Sequence, residues 1–163
     1  MIIALALLLF LAQPTDPTLP PSSAHVAYIV EGRGDQIYRC TQQGSAYIWA
    51  FQSPEAKLFD PATHKQTGTH FAGPTWTWND GSAVTGKVLE QYSPDPASIP
   101  WLLLAATPSG TKTGALSKIA LVRRSDTHGG NAPTIGCDAE HDGNVFRAPY
   151  TATYAFYSLS AEK

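Results

Sequence analysis

Thr69-His-Phe-Ala-Gly-Pro-Thr-Trp-Thr-Trp-Asn-Asp-Gly-Ser-Ala-Val-Thr-Gly-Lys-Val88 is the stretch whose reading decides the fold. Pro74 follows Gly73 and cannot donate to a sheet ladder, so the chain turns there before residues 75–79 run out as a Thr/Trp strand. Asn79-Asp80-Gly81-Ser82 then reads as a tight turn, because Asp and Gly tolerate positive φ, and residues 83–92 resume an extended pattern. The unit is a β-hairpin with His70 near its start. Trp76 and Trp78 share one face of the strand by the two-residue period. Two readings of that face stay open, a core face and a stacking platform for a ligand.

Working outward, the same punctuation covers the chain. Gly and Pro number thirteen each, and β-branched and aromatic residues fill the gaps between them, while no helical periodicity persists. The expectation is an all-β chain, a single-domain β-sandwich or flattened β-barrel with a long polar loop. Strands are expected at 24–31, 36–41, 46–52, 56–59, 66–71, 75–79, 83–92, 99–107, 117–124 and 151–158. Gly32-Arg33-Gly34-Asp35 separates the first two, and Ser53-Pro54 ends the third. Residues 99–107 form a continuous apolar run, which predicts a central strand buried on both faces. Residues 125–144 are polar and Gly-rich and read as the long loop, a place where function concentrates.

Residues 2–12 are apolar without interruption, too short to span a bilayer and of the length of a signal-peptide core. The organisation read from this is a signal peptide over 1–12, a Pro-rich lead-in over 13–23, and one all-β domain over 24–163. The protein is therefore expected to be secreted or periplasmic, with no stable membrane span. Charged residues are 15% and the formal net charge is −2. The basic residues are scattered, which leaves no footprint for nucleic acid or an anionic membrane surface. In an exported chain the pair Cys40 and Cys137, without CxxC spacing, reads as one disulfide rather than a metal or redox site. Closing a loop of that length removes roughly 4–5 kcal/mol of unfolded-state entropy at most.

Several segments together resemble a family. They are Gly34-Asp-Gln-Ile-Tyr-Arg-Cys40, Glu55-Ala-Lys-Leu-Phe-Asp60, His70-Phe-Ala-Gly-Pro-Thr-Trp76 with Asp80-Gly-Ser82, Ser98-Ile-Pro-Trp-Leu-Leu-Leu104, Arg124-Ser-Asp-Thr-His-Gly-Gly-Asn-Ala-Pro133 with Cys137, and Pro149-Tyr-Thr-Ala-Thr-Tyr-Ala-Phe-Tyr157. The chain resembles, over nearly all of its mature length, the small secreted bacterial and fungal proteins of domain-of-unknown-function family 3455. The resemblance implies no activity. Some fungal members bear a malate dehydrogenase label, which nothing here supports: no GxGxxG follows a strand and there is no βαβ alternation. His128 departs from the family pattern, so a role for it would be particular to this protein.

The chemistry-bearing residues are few. His70 and Asp80 flank the hairpin, where facing one another would orient an imidazole for acid/base work or metal ligation. A His at a sheet edge is also an ordinary structural hydrogen bonder. Ser82 lacks the GxSxG setting of a nucleophile. Asp138, Glu140 and Asp142, followed by Gly143, match the early positions of a calcium loop, but Pro149 stands where the closing Glu belongs, and an Asp-Gly turn explains the same residues. His64, His70, His128 and His141 show no metal-binding spacing, and the sequence identifies no cofactor.

Two functions follow. One is a non-catalytic module in which Trp76, Trp78 or Tyr92 stack on a carbohydrate or another small apolar-faced ligand. The other is a small exported enzyme, metal-dependent or built on His70 and Asp80 with His128. The first fits an aromatic-rich chain with little catalytic spacing, and its ligand residues are His70, Trp76, Trp78 and Asp80. His70, Trp76 and Asp80 are expected within one concave patch.

Overall fold

Every second residue of the strands that follow points into one shared interior, and that alternation builds the fold. The computed structural model describes residues 15–160, so the expected signal segment 1–12 lies outside them. Eight strands succeed one another: β1 (Ala24–Gln43), β2 (Ala46–Phe59), β3 (Gln66–Phe71), β4 (Thr75–Trp78), β5 (Ser82–Tyr92), β6 (Trp101–Gly110), β7 (Leu121–Gly129) and β8 (Val145–Leu159). Each pairs antiparallel with the next, and β8 returns to β1, closing the sheet into an up-and-down barrel. There is no helix among the described residues.

Val30, Leu58, Val84, Leu104, Val122 and Phe156 are buried in the main core. The β6–β7 connection sends Leu116 and Ile119 into that core as well, which closes the barrel end where β4 turns into β5. The apolar run expected to be buried on both faces is so only at its centre, where Leu103 and Leu104 point to opposite sides, and the rest of β6 is partly or fully exposed. Leu104 belongs to the barrel core, while Leu103 joins Leu121, Ala155 and Tyr157 in a second, outer cluster. Over this outer side lies part of the Pro-rich lead-in: Asp16 pairs with Arg123 at 2.6 Å, and Arg123 sits over the Trp101 ring at 5.2 Å.

Strand boundaries differ from the sequence reading at several places. β1 runs straight through Gly32 to Asp35. The glycine there is a steric device rather than a turn, because a Cβ on Gly32 would lie 2.4 Å from the Tyr154 ring. β2 likewise continues through Pro54, which sits beside a β-bulge in its pairing with β1 and beyond the last residue that β3 reaches. A proline is tolerated where no ladder bond is asked of it. Finally, β7 extends to Gly129 and β8 begins at Val145, so the long loop shrinks to residues 130–144.

Cys40 and Cys137 are disulfide-bonded, with Cα atoms 5.3 Å apart. Beside the bridge, Gly143 N donates to Cys40 O at 2.9 Å and Cys40 N to Asn144 O at 2.8 Å, so β1 holds the loop by covalent and hydrogen bonds together.

Candidate functional site

The β3–β4 hairpin is shorter than the strands on either side of it, and this shortness makes an opening. β3 has 6 residues and β4 has 4, against 14 in β2 and 11 in β5. Pairing of β3 with β2 stops at His70↔Ala56, and pairing of β4 with β5 stops at Thr75↔Thr85. Beyond the hairpin tip, the flanking stretches of β2 and β5 have no neighbour on that side. The notch leads into a cavity of about 340 Å³ inside the barrel, at the lower end of the range for small-molecule sites. Exposed Phe51, Gln52, Gly73 and Val88 stand at its mouth, and buried Trp76, Leu104 and Tyr154 form its inner wall.

His70 and Trp76 are cross-strand partners, and their inward-facing rings stack with centroids 4.4 Å apart and planes within 4°. Room for the indole comes from Gly86 on β5, where a Cβ would meet the Trp76 ring at 2.9 Å. His70 Nδ1 lies 2.9 Å from the Thr75 carbonyl oxygen. A carbonyl only accepts, so Nδ1 carries the proton and Nε2 is left as an acceptor. Burial pushes the His70 pKa down to about 4, the nearby Arg124 charge acts in the same direction, and the Thr75 bond opposes them. The ring is therefore neutral at physiological pH. Trp76 Nε1 and Gln36 Nε2, both on buried cavity-lining residues, have no partner in good hydrogen-bond geometry, although the Tyr150 hydroxyl lies near Gln36. Leaving such a donor unpaired costs roughly 1–3 kcal/mol.

Sequence reasoning missed Arg124. It alternates with outward-facing Arg123 on β7 and lines the cavity, where its Nε and Nη2 donate to the Pro100 carbonyl at 3.0 and 2.7 Å. It pairs with no carboxylate among the described residues. Burial raises the Tyr150 and Tyr154 hydroxyls, which lie 3.0 Å apart, and the Arg124 charge partly opposes that rise. Tyr38 donates to the Gly130 carbonyl at 2.8 Å, fastening the long loop over this end. The signal for Arg124 was the adjacent pair Arg123-Arg124 in an expected strand, since a two-residue period must turn one of the pair inward.

The other expected site residues lie elsewhere. Asp80 belongs to the turn at the closed end, on the order of 10 Å further along the strand direction than Trp76. Its Oδ1 accepts from Ser82 N at 2.9 Å and Ser82 Oγ at 2.5 Å, and its Oδ2 accepts from Ala115 N at 2.7 Å. These bonds fasten the β4–β5 turn to the β6–β7 connection and hold the Asp80 carboxyl below its usual range. His70 and Trp76 thus come together, whereas Asp80 does not join them in one concave patch. The face shared by Trp76 and Trp78 is the inner one. Trp78 packs between Tyr28 at 5.3 Å and Phe156 at 5.6 Å, below the cavity. Tyr92 packs edge-on against Trp101, and His128 is exposed. Asp138 Oδ1 accepts from the backbone of Glu140 and His141 and lies 2.6 Å from His141 Nδ1, as a turn carboxylate does. Among the described residues no group of three or more His, Cys, Asp or Glu is placed to hold a metal ion.

A closed up-and-down β-barrel with an internal cavity is the class of protein that these features define. Within that class, the chain belongs to the family described as Protein of unknown function (DUF3455), whose model matches residues 20–158. No curated protein and no solved structure matches it. The malate dehydrogenase label carried by some fungal members is not borne out: there is no βαβ unit among the described residues. No helix among the described residues is long and apolar enough to cross a membrane.

Proposed function

We propose that this protein is an exported, non-catalytic binding module that takes a small, apolar-faced molecule into its barrel. The observation that carries the reading is the 340 Å³ cavity behind the β3–β4 notch. Phe51, Val88, Ile99, Leu102 and Leu104 supply an apolar lining, and a few polar groups converge among them, which is the composition of a ligand site rather than of a packing defect. The stacking partner of Trp76 is His70, so the indole meets a ligand by its edge, and exposed Phe51, held edge-on by Tyr38, offers an aromatic surface at the mouth. The residues an enzyme would use are dispersed. His70 is inside, Asp80 is at the closed end and His128 is on the surface, with no common point for a reacting atom. Export is supported by the disulfide and by the apolar run at residues 2–12.

The test is ligand-observed NMR on the purified protein with a panel of hexyl- and benzyl-sized compounds, neutral and charged. Saturable binding that is lost in Leu102→Trp, a substitution that fills the cavity from β6, is the expected result. Absence of binding by every compound at about millimolar concentration, or binding untouched by Leu102→Trp in a folded variant, refutes the reading.

A further inference from the structure

We propose that the cavity selects a monocarboxylate, with an apolar body held inside the barrel and its carboxylate set against Arg124. The proposal rests on the reading of the cavity as a ligand site and names the chemistry of its occupant.

Three observations converge on it. First, Arg124 is the only formally charged side chain among the Lys, Arg, Asp and Glu residues of the lining, and it pairs with no carboxylate among the described residues. A guanidinium carries several N–H donors; the Pro100 oxygen takes Nε–H and one on Nη2, the Tyr154 hydroxyl lies near another, and the rest are left for an occupant. A half-buried guanidinium facing an apolar cavity is stabilised by a counter-charge, and nothing on this chain's lining supplies one. Second, the polar groups around Arg124 that lack partners are donors. Trp76 Nε1 is buried without an acceptor, and Gln36 Nε2 has only the Tyr150 hydroxyl near it, outside good hydrogen-bond geometry, so an occupant that brings oxygen lone pairs satisfies donors that the fold leaves unpaired or poorly paired. Third, the remainder of the wall is apolar, from Leu102 and Leu104 to Val88 and Phe51. One cation and an apolar wall match one negative charge on an apolar body. A doubly charged phosphate would find a single cation, and an ammonium ligand would meet like charge with no carboxylate to receive it.

Calorimetric titration of the wild-type protein with hexanoate and with 1-hexanol, two probes of equal chain length, separates the head group from the body. Hexanoate is expected to bind at least about tenfold more tightly at neutral pH, as a charge-assisted bidentate contact predicts. Arg124→Met should abolish that preference, and Arg124→Lys should keep part of it. Because Arg124 also holds the Pro100 carbonyl, each variant is read beside its melting curve, and the comparison on wild-type protein needs no variant. Equal affinity for the two probes, or tighter binding of the alcohol, overturns the carboxylate inference and leaves the cavity reading intact. A preference for hexanoate that survives in folded Arg124→Met overturns the role of Arg124. Binding of neither probe, nor of any compound in the panel above, overturns both readings.

Discussion

Lowering the pH should weaken this barrel through a single buried ring. His70 has an ordinary pKa of 6.5 and is held at about 4 in the folded protein, chiefly by burial. The unfolded chain therefore takes up a proton that the folded state refuses, and stability falls with pH wherever the unfolded state binds more protons. Above pH 6.5 the contribution is complete. It is lost progressively as the pH drops from 6.5 towards 4, and at about 1.4 kcal/mol per pKa unit the loss amounts to about 3 kcal/mol. In a domain of this size that corresponds to roughly 10 °C in melting temperature. The assay is urea unfolding followed by Trp fluorescence at several pH values between about 7.5 and 4.5, on wild type and on His70→Phe. The variant keeps a ring against Trp76 but cannot ionise and leaves the Thr75 oxygen without its donor. It should be less stable at neutral pH and should show a shallower decline across the window. The half-buried carboxylate Asp16, bonded to Thr18 and Arg123, is held below 3.8, so its own loss belongs at lower pH. A wild-type stability that stays flat from pH 6.5 to 4.5, or an equal decline in both proteins, would refute the reasoning.

Trp76 is 1% exposed and touches His70, Tyr154 and Phe156, so Trp76→Ala should cost roughly 3–5 kcal/mol in chemical denaturation. Loss of hexanoate binding with an unchanged melt would instead mark the indole as a contact with little structural weight. Replacing both cysteines, Cys40→Ala with Cys137→Ala, should lower stability by roughly 2–5 kcal/mol. Proteolysis should then cut first within residues 130–144, which the bridge and the bonds of Cys40 hold in place. Asp80→Asn should lower the melting temperature, because the carboxylate joins the β4–β5 turn to Ala115. It should leave hexanoate affinity unchanged, and a loss of binding in a folded Asp80→Asn protein would place the site at the wrong end of the barrel.

Local chemistry made much of this protein legible from its residues. Pro74 and Asp80-Gly81 mark where the hairpin reverses, the spacing of Trp76 and Trp78 puts them on one face, and two cysteines without a metal-like spacing pair with one another. Each of these rests on backbone freedom, strand period or covalent bonding within a few residues, which no distant contact alters. What closure of the sheet brings together was not legible. Gly32 and Gly34 look like a turn until Tyr154 of β8 takes the space over the first and Glu55 and Ala56 of β2 take the space over the second. Pro54 looks like a strand end until the shortness of β3 leaves its missing N–H unasked for. His70 and Asp80 stand close in the chain yet serve opposite ends of the barrel, because β4 carries the backbone from one end to the other between them. Arg124 is an unremarkable member of a basic pair until β7 takes its place in the ring and turns it inward, beside donors contributed by β1 and β4. A turn or a period is decided by neighbours in the chain, whereas the surroundings of a side chain are decided by strands that meet only when the barrel closes.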